Sequence, residues 1–103
     1  TEGFEKRILY NAAKHYSTQL NRGDTYSLLN PVIALTICDF TMFTDSDDIF
    51  SRFKLIEKER LTSYSEDIEL VFIELPKFKL SETELVSISD KWLYFLKNAG
   101  TLE

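Results

Sequence analysis

Apolar side chains occupy almost every position from Val32 to Phe40, and Thr36 and Asp39 are the only polar residues in that run. The run is short, rich in β-branched residues and preceded by Pro31, which favours a strand over a helix. Because both alternating faces are apolar, the pattern predicts a strand that is buried on both faces. Such a strand requires other segments of the chain to pack against both of its faces.

A helical period precedes this strand, from Gly3 to Asn21. Apolar residues recur there at every fourth position, as on the buried face of an amphipathic helix: Phe4, Ile8, Ala12, Tyr16 and Leu20. Gly23 follows at the place where a glycine in left-handed conformation commonly ends a helix. The pattern therefore predicts one helix before the central strand.

Two further strands are predicted after the central one. Ile49–Glu59 alternates apolar and polar residues, as a strand with one wetter face does. Asp67–Leu75 predicts a third strand, which Pro76 ends. The polar turns at 44–48 and 60–66 are short, and short turns favour an antiparallel meander of the three strands.

A closing helix is predicted from Glu82 to Asn98. Ser81 and Glu84 have the spacing of an N-terminal capping box, and Gly100 would end the helix. Its apolar residues predict a stripe that faces the core: Leu85, Ile88, Trp92, Phe95 and Leu96. We therefore predict a single domain over residues 1–103 with the order α-β-β-β-α, an α/β (α+β) fold with a small, mainly antiparallel three-stranded sheet flanked by two helices.

Composition and charge narrow the classes of function. The 103 residues are 44% hydrophobic and 14% aromatic, as expected for one globular domain. The formal net charge is −5 and the 12 Lys and Arg are scattered, which argues against strong non-specific DNA binding by this chain alone. Cys38 has no second cysteine to pair with, which fits a reducing, cytoplasmic compartment. No apolar run approaches the roughly 20 residues of a membrane span, so no membrane partner is predicted.

Two polar features of the sequence are candidate metal sites. The acidic turn with Asp45, Asp47 and Asp48 has closely spaced carboxylates, which suit Ca²⁺ or Mg²⁺. It lacks the glycine and the distant glutamate of an EF-hand loop, so a solvated turn is the favoured interpretation. His15 is the only histidine and has no partner at zinc-ligand spacing, so we predict that it lies on a helix surface.

Asp67, Glu74 and Lys77 are the remaining candidates for metal-assisted hydrolysis. A nuclease of the PD-(D/E)XK kind has an Asp and, on the next strand, an acid and a Lys two positions apart, so that the latter two share a face. Asp67 and Glu74 instead lie seven residues apart on one predicted strand and would point to opposite faces. Lys77 is three positions after Glu74, beyond Pro76, so the spacing argues against such a site.

Several segments nevertheless resemble one family in their order and spacing. They are Gly3–Tyr10, Tyr16–Tyr26 running into Leu29–Ile33 and Asp39-Phe40, Ile73–Phe78, and Trp92–Asn98. Together they resemble the C-terminal part of the PD-(D/E)XK nuclease family transposases, the recombination-promoting nuclease group. The resemblance covers essentially the whole chain, with Asn11 as a departure where the family usually has a second Tyr after Tyr10.

The resemblance implies a partial restriction-endonuclease-like fold, DNA as the partner and Mg²⁺ as the cofactor of the full-length family. It also implies that the catalytic Asp and the following Glu-x-Gln precede the helix that here begins the chain, so those acids would lie upstream of Thr1. Arg7 and Tyr10 match family positions on that helix and would only support a site supplied elsewhere.

Three hypotheses follow. In the first, the chain is a partial member of this family, folded but without phosphodiester-cleaving activity and without a cofactor of its own. In the second, it is a small interaction module that binds a protein partner or a second copy, because an open sheet edge or bare apolar face promotes homo-oligomers. In the third, it is an active nuclease that uses Asp67, Glu74 or the acidic turn at 45–48.

Overall fold

The computed structural model describes residues 2–20, 23–80, 84 and 86–99. Its helices and strands are α1 (Glu2–Ser17), β1 (Val32–Cys38), β2 (Phe50–Ile56), β3 (Ser63–Glu74) and α2 (Ile88–Ala99). Short 3-10 helices cover Tyr26–Leu28 and Leu75–Lys77. The predicted α+β class, with two helices and a three-stranded sheet in the order α-β-β-β-α, is confirmed. None of the helices in these ranges has the length and apolar character of a membrane span.

The sheet has the strand order β1-β3-β2, so the predicted meander, in which β2 would be central, is wrong. β2 and β3 form a hairpin, in which the Glu57 amide donates to the Thr62 carbonyl at 2.7 Å and the Glu74 amide donates to the Ile49 carbonyl at 2.9 Å. β1 pairs with the other edge of β3, and the sheet is mixed. β3 is central because its 12 residues form the longest strand and are mostly half-buried or buried.

β1 is buried on one face only, so the prediction of two buried faces is also wrong. Its burial alternates residue by residue, with Cys38 buried and the side chains of Ile33, Leu35 and Ile37 exposed. The reason is that the face of β1 with these three side chains has no covering layer among the described residues. The apolar composition of the run indicated its strand character correctly but did not indicate its position in the sheet.

α1 ends earlier than the sequence pattern predicted. The backbone amide and the hydroxyl of Thr18 both donate to the Lys14 carbonyl, at 3.0 and 2.9 Å, and so satisfy one of the last carbonyls of the helix. Gly23 does have a left-handed backbone, with φ +93°, but it lies beyond Ser17 and belongs to a turn. Within α1 the predicted apolar face is confirmed, since Phe4, Ile8, Ala12 and Tyr16 are buried or half-buried, whereas Leu20 is half-buried but lies beyond the end of the helix.

α2 begins at Ile88, six residues later than predicted, with a different capping box. The Asp90 amide donates to the Ser87 hydroxyl at 3.0 Å, and the Ser87 amide donates back to the Asp90 carboxylate at 3.4 Å. This reciprocal pair is the Ser-x-x-acid arrangement of a helix N-terminus. The predicted cap at Ser81, the apolar Leu85 and the terminating Gly100 lie outside the described residues.

The described residues fall into two compact units, one with residues up to 35 and 52–71, the other with 36–51 and from 72 onward. In the first unit, Ala12 of α1 is a buried apolar residue. In the second unit, Leu75, Phe78 and Leu93 form a buried apolar cluster, packed by Ile49, Ile73, Leu80, Tyr94 and Leu96. A single domain over residues 1–103 stays a prediction.

The core-facing stripe predicted for α2 is largely wrong. Ile88, Trp92 and Phe95 are exposed, and Leu93 is the residue of this helix that is buried. Leu96, also in the predicted stripe, does pack on the core. Both sides of α2 carry large apolar residues, so the period alone could not identify the side that packs.

Candidate functional site

Glu74 lies at the C-terminal end of β3, and its side chain is completely buried, with 0% of its surface exposed. One carboxylate oxygen, Oε2, accepts hydrogen bonds from the backbone amides of Met42 and Phe43 at 2.7 and 3.0 Å. The other, Oε1, accepts from the ammonium Nζ of Lys77 at 2.9 Å. We call these four residues the Glu74 anchor.

Lys77 reaches Glu74 because the chain changes direction after β3. Leu75–Lys77 forms a 3-10 helix with Pro76 near its start, and this turn brings the side chain of Lys77 back toward the strand end. Only 8% of the Lys77 side chain is exposed, and its Nζ also donates to the Phe43 carbonyl at 2.7 Å. Sequence reasoning treated the break at Pro76 as separating these residues, whereas the turn is what unites them.

The charge of Glu74 is stabilised by its hydrogen bonds. Burial by itself raises the pKa of the Glu74 carboxyl, because it removes water from the charged form. The hydrogen bonds from Lys77, Phe43 and Met42, with the positive charge of Lys77, outweigh burial and hold the pKa below its usual value. Glu74 and Lys77 therefore form a buried ion pair at neutral pH, and none of the buried side-chain nitrogen and oxygen atoms described lacks a partner.

This lowered pKa predicts a loss of stability in acid. A carboxyl with a lower pKa in the folded than in the unfolded state stabilises the fold above its unfolded pKa of about 4.3, and that contribution is lost as pH falls through the folded pKa. We expect urea midpoints measured from pH 7 down to pH 3 to fall more for the wild type than for Glu74→Gln. The two proteins differ only at this side chain, so an equal fall of the urea midpoint with pH in both would contradict an ionised Glu74.

Asp67 has a different set of partners. The Tyr16 hydroxyl of α1 donates to its carboxylate at 2.7 Å, and the Asp67 amide donates to the Ser65 hydroxyl at 3.0 Å. The hydrogen bond to Asp67, with smaller effects of burial and of the Asp67 charge, raises the pKa of Tyr16. Asp67 thus connects α1 to β3, and none of these contacts is shared with Glu74.

The acidic turn is exposed at Asp45, Asp47 and Asp48. Its internal order comes from the Ser46 hydroxyl, which accepts a hydrogen bond from the Asp48 amide at 3.0 Å. Within residues 2–20, 23–80, 84 and 86–99, no group of three or more His, Cys, Asp or Glu side chains is placed to hold a metal ion. The donor set present in the described chain therefore does not fit the divalent metal of a nuclease.

Arg7, Tyr10 and His15 lie on α1, whereas Cys38 lies at the end of β1. Arg7 and Tyr10 are exposed on α1, and the Arg7 guanidinium lies 5.7 Å from the centre of the Phe4 ring. His15 is exposed on the same helix, as predicted. Cys38 is buried, and burial, followed by the charges of Glu74 and Asp39, raises the pKa of its thiol. A protonated, buried thiol is a poor nucleophile.

Comparison with known proteins gives one match. The sequence model of the family described as PD-(D/E)XK nuclease family transposase matches residues 1–103. No curated protein and no solved structure matches the chain. The match spans both units and includes the Glu74 anchor.

Proposed function

The chain belongs to the PD-(D/E)XK nuclease family transposases, and from this premise we propose that its 103 residues supply structure to a DNA-recombining nuclease without cleaving DNA themselves. The observation that carries the proposal is the state of Glu74, the candidate acid that is paired with a lysine. It is completely buried, and both of its oxygens are engaged. A catalytic metal needs carboxylate oxygens that are open to it and to a reacting water.

Freeing the Glu74 carboxylate to bind a metal would require breaking its ion pair with Lys77, which costs free energy. Lys77 is nearly as buried as Glu74, and removing one member of a buried ion pair leaves an uncompensated charge, at a cost of about 3–5 kcal/mol. A divalent metal also needs further oxygen ligands, and the described residues place no cluster of acids around Glu74. In this proposal Glu74 fixes the backbone at 42–43 and the turn after β3.

The expected result in a supercoiled-plasmid nicking assay with Mg²⁺ or Mn²⁺ is no more cleavage than in EDTA. The reason is that, within the part of the chain that the structure describes, neither Glu74 nor the exposed acidic turn belongs to a group of acids placed to hold a metal ion. The protein is first shown to be folded by circular dichroism. Cleavage that EDTA stops and that Glu74→Gln abolishes, while the matched turn variant Asp45→Asn retains it, would contradict the proposal.

A second candidate function is self-association. It is favoured by the apolar face of β1, where Ile33, Leu35 and Ile37 are exposed on a strand at the edge of the sheet. Edge strands carry unpaired backbone donors and acceptors that can pair with another chain. Val32–Cys38 contains no charged residue that would oppose such pairing. The same surface would serve a protein partner if the chain does not bind a second copy.

Light scattering tests self-association directly. We expect the average mass to exceed that of one chain and to rise with concentration, and we expect Leu35→Lys to lower it to one chain, because a charge at the edge opposes strand pairing. Leu61→Lys is the matched control, since Leu61 is also an exposed leucine but lies in the loop before β3. A strict monomer at high concentration would overturn this second function.

The setting that we propose is the cytoplasm. Cys38 is the only cysteine in the sequence, and it lies buried as a free thiol at the end of β1. Free thiols persist in reducing compartments, whereas secreted domains of this size usually carry disulfides. The buried free thiol is the observation that supports this proposal.

A further inference from the structure

A cavity of about 630 Å³ lies beside the Glu74 anchor in the second unit. Its walls come from the loop after β1 and from the segment after β3. The polar side chains that line it are Thr41, Thr44, Ser46, Asp47, Lys77 and Lys79. This volume lies within the roughly 300–1,000 Å³ that is usual for small-molecule sites. We call it the Lys79 cavity.

The Lys79 cavity contains hydrogen-bond donors that the described chain does not use. The Ser46 hydroxyl accepts from the Asp48 amide, which leaves its own hydrogen available. Lys77 has three N–H groups and uses two, for Glu74 and for the Phe43 carbonyl. Thr41, Thr44 and Lys79 form no side-chain hydrogen bond or ion pair with other described residues. A ligand rich in oxygen acceptors would satisfy these donors.

The charges in the cavity are divided between two residues. Glu74 already balances the charge of Lys77, so Lys79 is the cation in the lining that has no partner within the described ranges. Asp47 forms no ion pair with another described residue and offers two acceptor oxygens. An inorganic anion would be attracted by Lys79 and repelled by Asp47. A ligand that carries hydroxyl groups next to its anionic group would satisfy both.

We propose that the Lys79 cavity binds a small phosphorylated sugar, free or as part of a ribonucleotide. The phosphate accepts hydrogen bonds from Lys79, from Lys77 and from the neighbouring hydroxyls. A sugar hydroxyl donates to the Asp47 carboxylate, which makes Asp47 a favourable contact and gives selectivity over bare phosphate. This assignment is independent of whether the chain cleaves DNA.

The test is isothermal titration calorimetry with ribose 5-phosphate, adenosine monophosphate and inorganic phosphate. We expect saturable binding of ribose 5-phosphate and a weaker response to inorganic phosphate. Lys79→Ala should weaken ribose 5-phosphate binding about tenfold or more, because it removes a charge-assisted hydrogen bond. Lys58→Ala is the matched control, since Lys58 is an exposed lysine in the turn before β3, and it should leave binding unchanged.

Asp47→Ala tests whether a sugar hydroxyl of the ligand binds Asp47, because the variant should change the affinities for the sugar phosphate and for inorganic phosphate in opposite directions. If Asp47 accepts from the sugar, the variant binds ribose 5-phosphate more weakly and inorganic phosphate more tightly. If both ligands bind more tightly, Asp47 only repels the phosphate and the sugar assignment is wrong. If adenosine monophosphate binds more tightly than ribose 5-phosphate, the ligand of the Lys79 cavity is a ribonucleotide. If the two bind equally, the ligand is a free sugar phosphate. Absence of binding by all three ligands overturns the proposal.

Discussion

Glu74→Ala is expected to lower the free energy of unfolding by about 3–5 kcal/mol, because it leaves the buried ammonium of Lys77 without its counter-charge. The same change leaves the amides of Met42 and Phe43 without their acceptor, and each unsatisfied buried donor adds to the cost. A domain of this size is typically stable by about 5–15 kcal/mol in total. The variant is therefore expected to be at the margin of folding at 25 °C.

Urea denaturation followed by circular dichroism measures this loss, and the chain offers a matched ion pair as control. Lys54 and Glu66 lie 3.2 Å apart, but their side chains are 43% and 70% exposed. An exposed pair contributes about 1 kcal/mol or less, so Glu66→Ala should shift the urea midpoint little. If the two alanine variants lose the same stability, the burial of Glu74 does not have the energetic consequence argued for it.

A double variant separates the ion pair from the other contacts of Glu74. Removing Lys77 as well, with the apolar Lys77→Met, eliminates the uncompensated charge. Glu74→Ala/Lys77→Met should therefore be more stable than Glu74→Ala alone, although the amides of Met42 and Phe43 stay unsatisfied in both. Additive losses would mean that the two side chains do not interact energetically.

The elements of this fold could be predicted from periodicity, whereas their arrangement could not. The four-residue repeat of α1 predicted the side of the helix that is buried or half-buried, although Leu9 and Tyr10 are exposed on the rest of its surface. The β1 run predicted a strand but not an edge, because strand order depends on which segments pair and not on local composition. A long apolar strand can lie at the centre or at the edge of a sheet of this size.

The candidate site shows a second limit of sequence reasoning. The two-residue period of a strand correctly warns that Glu74 and Lys77 cannot share a face of an extended chain. The period no longer applies after Glu74, because the backbone enters a 3-10 helix in which residues three apart lie on the same side. Pro76 was the sequence signal for that change. An acid and a lysine that flank a proline turn at this spacing are candidates for an ion pair.

Leu93→Ala is expected to produce the other large effect, a loss of about 2–5 kcal/mol in the free energy of unfolding. Leu93 is 5% exposed and belongs with Leu75 and Phe78 to the buried apolar cluster of the second unit. Truncation removes its transfer free energy and leaves a cavity in a cluster with few other members. The measurement is again urea denaturation, at a protein concentration low enough to exclude self-association.

Trp92→Ala, one position earlier in α2, is the matched control for this prediction. Trp92 is larger than Leu93 but 61% exposed, and its ring meets that of Phe95 edge to face with 6.1 Å between the ring centres. An aromatic pair of this kind contributes about 0.5–1.5 kcal/mol, so the smaller side chain should be the more costly one to remove. The opposite order, a large loss for Trp92→Ala and a small one for Leu93→Ala, would mean that α2 packs through its Ile88, Trp92 and Phe95 side. The sequence pattern favours that side, and only burial against Leu75 and Phe78 argues for Leu93.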